Sequence, residues 1–309
     1  MLGDDLTAMY GDWCYFAAAA AYVVAMLVHA AEFVLAGRDR AARGVVAAAV
    51  GASPPVLADD PGRPTGPTLA RMAVAVTVAG VGLHALSIAL RAAATGRWPL
   101  GNMYEFTAAI SLTMMIVWLG RLHRQPQLSR IGVFVLAPVL VLVFLGGTVL
   151  HVAAGPVMPA LRSPWLAVHV TTVALSSGAL LVAGLASAAL VAAQAGRVRG
   201  IAAALPPAVD IDRLAYRLTA AAFPVFTFAI VAGAIWAESA WGRFWGWDPK
   251  ETVAFISWVC YAAYLHARAT AGWRTRRAAW INVAACATMV LNLFFVNLVV
   301  AGLHSYAGF

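Results

Sequence analysis

Apolar residues in this chain do not alternate with polar ones at any short period. They run on almost unbroken, interrupted by short clusters of Arg, Pro, Gly and Trp. Runs of about 18 residues or more recur, long enough to cross the hydrocarbon core of a bilayer as helices. They predict eight membrane helices, at about 14–36, 69–91, 103–120, 131–150, 165–194, 214–237, 249–268 and 278–302. The expected fold is therefore all-α, a polytopic membrane helical bundle in one domain over residues 1–309.

Composition excludes the soluble alternative. The chain is 62% hydrophobic and 11% charged, with mean hydropathy +0.82, so too little polar sequence exists to cover so many cores in water. A formal charge of +8 would suggest nucleic acid in a soluble chain, but here the arginines sort by loop. Arg38, Arg40, Arg43, Arg63, Arg71, Arg121, Arg124, Arg130, Arg197, Arg199, Arg213, Arg217, Arg268, Arg274, Arg276 and Arg277 fall at one end of the expected bundle, 16 of the 21 basic residues. The other end holds Arg91, Arg97, Arg162, Arg243 and Lys250. The positive-inside rule makes the first end cytoplasmic, which places both termini outside and leaves no role for nucleic acid.

Only Asp4, Asp5 and Asp12 carry charge before the first run, so no cleavable signal peptide is expected. Residues 37–68, rich in Pro and Gly, read as an irregular cytoplasmic loop. Cys14, Cys260 and Cys286 form neither a CxxC pair nor a CxxCH segment, so neither a disulfide framework nor covalent haem attachment to this chain is indicated.

One stretch departs from the general pattern. Five of the eleven tryptophans, Trp236, Trp241, Trp245, Trp247 and Trp258, lie between residues 236 and 258, with glycines and the only Lys of the chain. Residues 238–250 are expected to form an external tryptophan-rich loop. Were Trp241 to Trp247 helical, Trp241, Phe244, Trp245 and Asp248 would share one face as a flat aromatic shelf. Asp248, Pro249 and Glu251 then read as N-cap, first helical residue and capping-box partner of the next helix. An interfacial aromatic belt accounts for tryptophans in any membrane protein. Concentration in one loop fits a large planar, mostly apolar ligand instead.

The histidines divide by position. His123, between Arg121 and Arg124, reads as solvated, and His151 as a cap on the carbonyls ending helix four. His29 and His84 lie inside apolar spans, where a hydrogen bond to a neighbouring helix is the plain reading. At the shoulder of the third helix, Glu105 reads as an interfacial carboxylate or as a partner of Arg97. His169 and His304 come from distant segments yet reach the same outer level, beside the tryptophan loop. They are either chance neighbours or axial ligands of a haem iron covered by indoles, with Arg243, Lys250, Arg162 or Arg97 near its propionates. His266 lies about 25 Å along helix seven, towards the cytoplasmic side.

WGRFWGWDPKETVAFISWVCYAAYLHAR, with the closing VNLVVAGLHSYAGF, resembles the CcsA (ResC) family of system II cytochrome c biogenesis proteins, which share a tryptophan-rich WWD segment. GRWPLGNMYE and PVMPALRSPWLAVHV resemble two more motifs of that family in the same order, so the likeness covers about residue 91 to the end. The resemblance implies that His169 and His304 hold haem b at an external site beside Trp241, Trp245, Trp247, Asp248 and Arg243. It also implies that His266 serves a site within the membrane, its second ligand coming from a CcsB (ResB) partner; His29, at a similar depth in helix one, is an in-chain alternative.

The implied function is half of a cytochrome c synthase in the bacterial cytoplasmic membrane. With CcsB it would move haem outward and present it for thioether attachment to the CxxCH of apocytochrome c, after separate thiol-reducing proteins have kept those cysteines reduced. A haem exporter or chaperone without attachment chemistry is the alternative, and a structural or transporter subunit with an ordinary aromatic belt is a third.

Overall fold

A computed structural model describes residues 2–50, 66–195, 204–270, 273 and 276–304. Among them all regular structure is helical: α1 (Leu2–Val50), α2 (Gly66–Thr95), α3 (Met103–Arg124), α4 (Gly132–Thr148), α5 (Pro164–Gln194), α6 (Ala208–Trp241), α7 (Pro249–Ala269) and α8 (Arg276–Leu291). Short 3-10 turns precede α4 (Pro126–Ile131) and α5 (Pro159–Arg162), and α8 runs on into a π-helical segment, Asn292–Val296. Seven helices are long and apolar enough to cross a membrane. The one that falls short is α7, which carries Lys250, Glu251, His266 and Arg268 in its 21 residues. The chain is a multi-pass helical membrane protein. Its outward-facing apolar side chains, Leu27, Val78, Phe144 and Val231 among them, face the direction in which lipid replaces water.

Local chemistry sets the helix starts nearest the tryptophan loop. Asn102 caps α3, its Oδ1 accepting the Glu105 N–H at 2.9 Å; Ser163 caps α5 ahead of Pro164; and Asp248 caps α7 in a complete capping box with Glu251. Several boundaries differ from expectation: α1 already begins at Leu2 rather than near 14, and α6 at Ala208 rather than near 214. Residues 37–50 continue α1, alanine being the strongest helix former in that stretch, and residues 66–68 begin α2; residues 51–65 lie outside the described part. The last helix gives out near Leu298 rather than at 302, where the π-helical turn has already broken the regular pairing.

α1 pairs with α2 along their length, α5 with α6, and α7 with α8; α3 and α4 fill the middle. Tyr15 reaches across from α1 to donate to the Val143 carbonyl of α4 at 2.9 Å. On the far side Asn282 of α8 donates to Ser187 Oγ of α5 at 2.8 Å, and Gly184 leaves room for Cys286. This α5–α8 contact matters for the site. It holds the helix that bears His169 against the one whose continuation bears His304.

His29 and His84 have the neighbours expected of membrane-embedded histidines. His84 Nδ1 meets the Tyr22 hydroxyl at 3.3 Å, and His29 Nδ1 faces Glu32 at 3.4 Å with the Trp118 ring 5.2 Å away. His29 is enclosed by α1, α3 and the turn before α4, whereas His266 is exposed on α7, which packs on α6 and α8. The two rings thus lie in different surroundings, one enclosed and one exposed. His151 does not cap α4 either: the helix ends at Thr148, and the imidazole turns to Asp12 of α1 at 3.5 Å.

Candidate functional site

α6 stops at Trp241 because Gly242 adopts φ 71°, a left-handed cap that a glycine takes without strain, its N–H donating to the Glu238 carbonyl at 2.8 Å. Residues 238–241 are therefore helical, and residues 242–248 form the loop without helical periodicity. The expected flat shelf does not form. Trp247 takes φ 55°, a costly conformation for a large side chain, and Glu251 holds the loop by accepting the N–H groups of Gly246 and Asp248 at 2.9 and 3.1 Å.

The break splits the indoles into two groups. Trp236, still on α6 and 2% exposed, lies parallel to the His169 ring at 6.1 Å, 4.8 Å from Trp241 and 5.7 Å from His304; Trp241 is 4.9 Å from His304. Trp245 and Trp247 instead pack edge to face with each other and with Phe255. Trp245 lines the main cavity, but Trp247 is 66% exposed and lines neither cavity beside the histidines. Trp258 braces α6, its Nε1 donating to Thr227 at 2.9 Å. The Arg243 guanidinium lies over Gly246, on an exposed residue.

Both of these imidazoles are oriented through one nitrogen. His169 Nδ1 lies 2.8 Å from the Ala229 carbonyl, and His304 Nδ1 lies 3.0 Å from Asp248 Oδ1. Neither acceptor carries a proton to give, so Nδ1–H is the donor in each ring; in a neutral imidazole with that tautomer the acceptor nitrogen is Nε2. Gly233 makes the first arrangement possible: a Cβ there would stand 2.6 Å from His169 Cε1. Asp248 makes the second. Its other oxygen accepts the Leu303 N–H at 2.8 Å, and Oδ1 also accepts the Lys250 N–H at 3.0 Å, so one carboxylate caps α7 and clamps the segment bearing His304.

Burial pushes the His304 imidazole down to about 4, assisted by the nearby Lys250 ammonium and opposed by Asp248. Burial alone would raise the Asp248 carboxyl, yet the Leu303 and Lys250 amides and His304 hold it below its usual range. The neutral ring is the form that can ligate a metal. In the unfolded chain the same ring takes up its proton near pH 6.5, so stability is independent of this group above that pH and falls between about 6.5 and 4. The thermal midpoint of detergent-solubilised protein should therefore drop more steeply over that interval than that of His304→Gln; equal slopes would remove His304 from the acid transition.

Two adjoining cavities meet at these rings. His169, His304, Lys250, Phe106 and Val173 line both. The larger runs down α5 past Val173 and Ser177 to Leu181, faced by α6, α7 and α8; the smaller is walled by Leu100, Gly101, Asn102 and Met103 of the loop before α3. Glu105 fixes that wall. It is 3% exposed and accepts from Arg91 at 3.0 Å, from Arg97 Nη1 and Nη2 at 2.8 Å each, and from the Gly101 N–H at 2.7 Å, while the two arginines also bind the Val152 and Gly155 carbonyls. The interfacial reading of Glu105 is thus replaced by a buried ion-pair network.

Of the residues expected at the external site, His169, His304, Trp241, Trp245 and Asp248 converge here; Trp247 and Arg243 lie on the exposed side of the loop, and His266 is exposed near the far end of α7. Trp236 and Gly233 belong to the site and were not singled out for it. The tryptophan stretch itself pointed to Trp236, but nothing in an Ala- and Gly-rich helix marks Gly233.

The fold and this site define a class: a multi-pass helical membrane protein with a cavity at one end where two neutral imidazoles, drawn from distant segments, meet among indoles. The family model described as cytochrome C assembly protein matches residues 100–304, so the chain belongs to the cytochrome c assembly protein family. It is similar to the "Cytochrome c biogenesis protein CcsA" of Synechococcus sp. (strain RCC307), at 39% identity over 181 residues, 50% of this chain and 58% of that one. The proteins of the same name from Prochlorococcus marinus (strain MIT 9215) and Gloeobacter violaceus are each 32% identical, over 72% and 69% of this chain and 81% and 79% of theirs. The match to the Synechococcus protein thus spans less than two thirds of that relative.

Proposed function

We propose that this chain acts in cytochrome c maturation by holding haem b between His169 and His304 and presenting it at the outer face of the bacterial cytoplasmic membrane. The observation that carries the reading is the paired placement: two imidazoles lining the same two cavities, each ring oriented through Nδ1, with Trp236 and Trp241 packed beside them. Such a donor set suits the two axial positions of a haem iron, and an acceptor behind a ligating imidazole orients it and raises its basicity. Haem is the substrate here; its own vinyl groups carry the chemistry of thioether attachment.

The residues of this chain position the ring, exclude water through the apolar lining and keep both imidazoles neutral. In this reading a CcsB-type partner completes the synthase, His266 on its exposed helix face serves a second haem site shared with that partner, and apocytochrome c arrives with thiols already reduced. The distribution of arginines supports a cytoplasmic end opposite the tryptophan loop.

The test is the visible spectrum of purified protein co-expressed with its partner. Wild type should show the Soret and α bands of bis-histidine haem, and His169→Ala/His304→Ala should lose most of that intensity. Unchanged bands in the double variant would move the ligands elsewhere, His266 first. Attachment is separated from export with a CxxCH reporter: covalently haemylated product that requires both proteins supports the synthase, and haem release without it supports the exporter.

A further inference from the structure

We propose that the Lys250 ammonium is the specificity-determining contact of the site, recognising a carboxylate substituent of the bound macrocycle; this deepens the haem reading and rests on it. Five basic residues lie at the tryptophan-loop end; two of them are committed to Glu105 and two stand on exposed positions that line neither cavity. Arg91 and Arg97 are spent on Glu105 and on backbone carbonyls. Arg162 is exposed with its Nε on the Val157 carbonyl, and Arg243 lies across Gly246 on the open side of the loop.

Lys250 alone among these five lines both cavities together with His169 and His304. Its Nζ donates to a neutral acceptor, Asn297 Oδ1, at 2.7 Å, and it forms no ion pair within 4 Å among the described residues. The carboxylates nearest in sequence are already engaged: Asp248 by Leu303, His304 and the Lys250 amide, and Glu251 by Gly246 and Asp248. An ammonium has three donors, so capacity for an anionic acceptor remains on the cavity wall. The position is also held rigidly. Asn292, in the π-helical turn, donates to the Lys250 carbonyl at 3.2 Å, and Asn297 one turn on receives the side chain.

The consequence for recognition is directional. Protoporphyrin carries its two carboxylates on one edge and its two vinyl groups on the opposite half of the ring. A carboxylate anchored at Lys250 turns the vinyl-bearing half away from this lysine, so one cation both selects an acidic macrocycle and sets which edge is offered for reaction.

The experiment compares haem with haem dimethyl ester, in which the carboxylates are esterified, by Soret titration of apo-protein in detergent, for wild type, Lys250→Met and Lys250→Arg. Methionine keeps the unbranched apolar stem and removes the charge. Wild type should prefer the free acid by about tenfold or more, the worth of one charge-assisted hydrogen bond; Lys250→Met should bind both porphyrins as wild type binds the ester, and Lys250→Arg should keep the preference. A preference that persists in Lys250→Met, or wild type that binds acid and ester alike, overturns the assignment. So does an equal loss of both porphyrins in Lys250→Met, which marks a purely structural lysine. Failure of wild type to bind either porphyrin overturns the haem reading itself.

Discussion

Glu105→Ala is expected to cost about 3–5 kcal/mol of stability, because removing one partner of a buried charge network leaves the others buried and unpaired. Two guanidinium groups, on Arg91 and Arg97, converge on this single carboxylate, which is 3% exposed. Between them they tie the loop before α3 to the segment that follows α4. The same loop walls the smaller cavity through Gly101, Asn102 and Met103. Thermal unfolding in detergent should show the lower midpoint, and haem should be retained less well. Glu105→Gln keeps an acceptor and should fall between wild type and alanine. A midpoint unchanged in Glu105→Ala would mean that the network does not brace this end of the bundle.

Asp248→Ala should reduce haem affinity by about 10–100-fold, the usual effect of deleting a group that orients a ligating imidazole. It should also cost about 2–4 kcal/mol, for the lost N-cap of α7 and the charged acceptor of the Leu303 and His304 donors. Asp248 touches no cavity, so the loss of affinity would act through His304. The discriminating readout is spectroscopic. If His304 is released, the bis-histidine spectrum should give way to one with a single histidine, as in His304→Ala, while His169→Ala/Asp248→Ala should lose the remaining ligand. An unaltered spectrum in Asp248→Ala would place the control of His304 elsewhere.

Much of this was readable along the chain, and the boundary has physical causes. The helices follow from run length, since a span of apolar residues has only one way to satisfy its backbone in lipid. The α7 start was written locally as Asp248, Pro249 and Glu251, and the structure has that capping box complete. Helix ends governed by propensity alone were misjudged: the charged cluster at residues 38–43 interrupts the apolar run, yet α1 continues through it to Val50. The tryptophan loop was misjudged for a different reason. Helical spacing from Trp241 to Trp247 suggested one face, but Gly242 in the left-handed region ends the helix and sends Trp245 and Trp247 to another group.

Glu105 was ambiguous because a carboxylate at a helix shoulder pays no penalty if it faces water. Its identity as a buried partner depends on Arg91 and Arg97 arriving from another helix and loop. His29 and His266 appeared comparable in depth, and only packing separates an enclosed ring from an exposed one.

Composition and order alone determined a helical membrane protein, a tryptophan-rich break between its sixth and seventh helices, and the placing of His169 and His304 at one end of the bundle, because these depend on periodicity and on counting residues along an axis. Tertiary structure decided the rest: that Gly233 admits the His169 ring, that Asp248 holds His304, that Trp236 joins them in place of Trp247, and that Lys250 lines the cavities while the arginines at this end line neither. Each of these is a contact between segments far apart in sequence, formed only when helix packing brings them together.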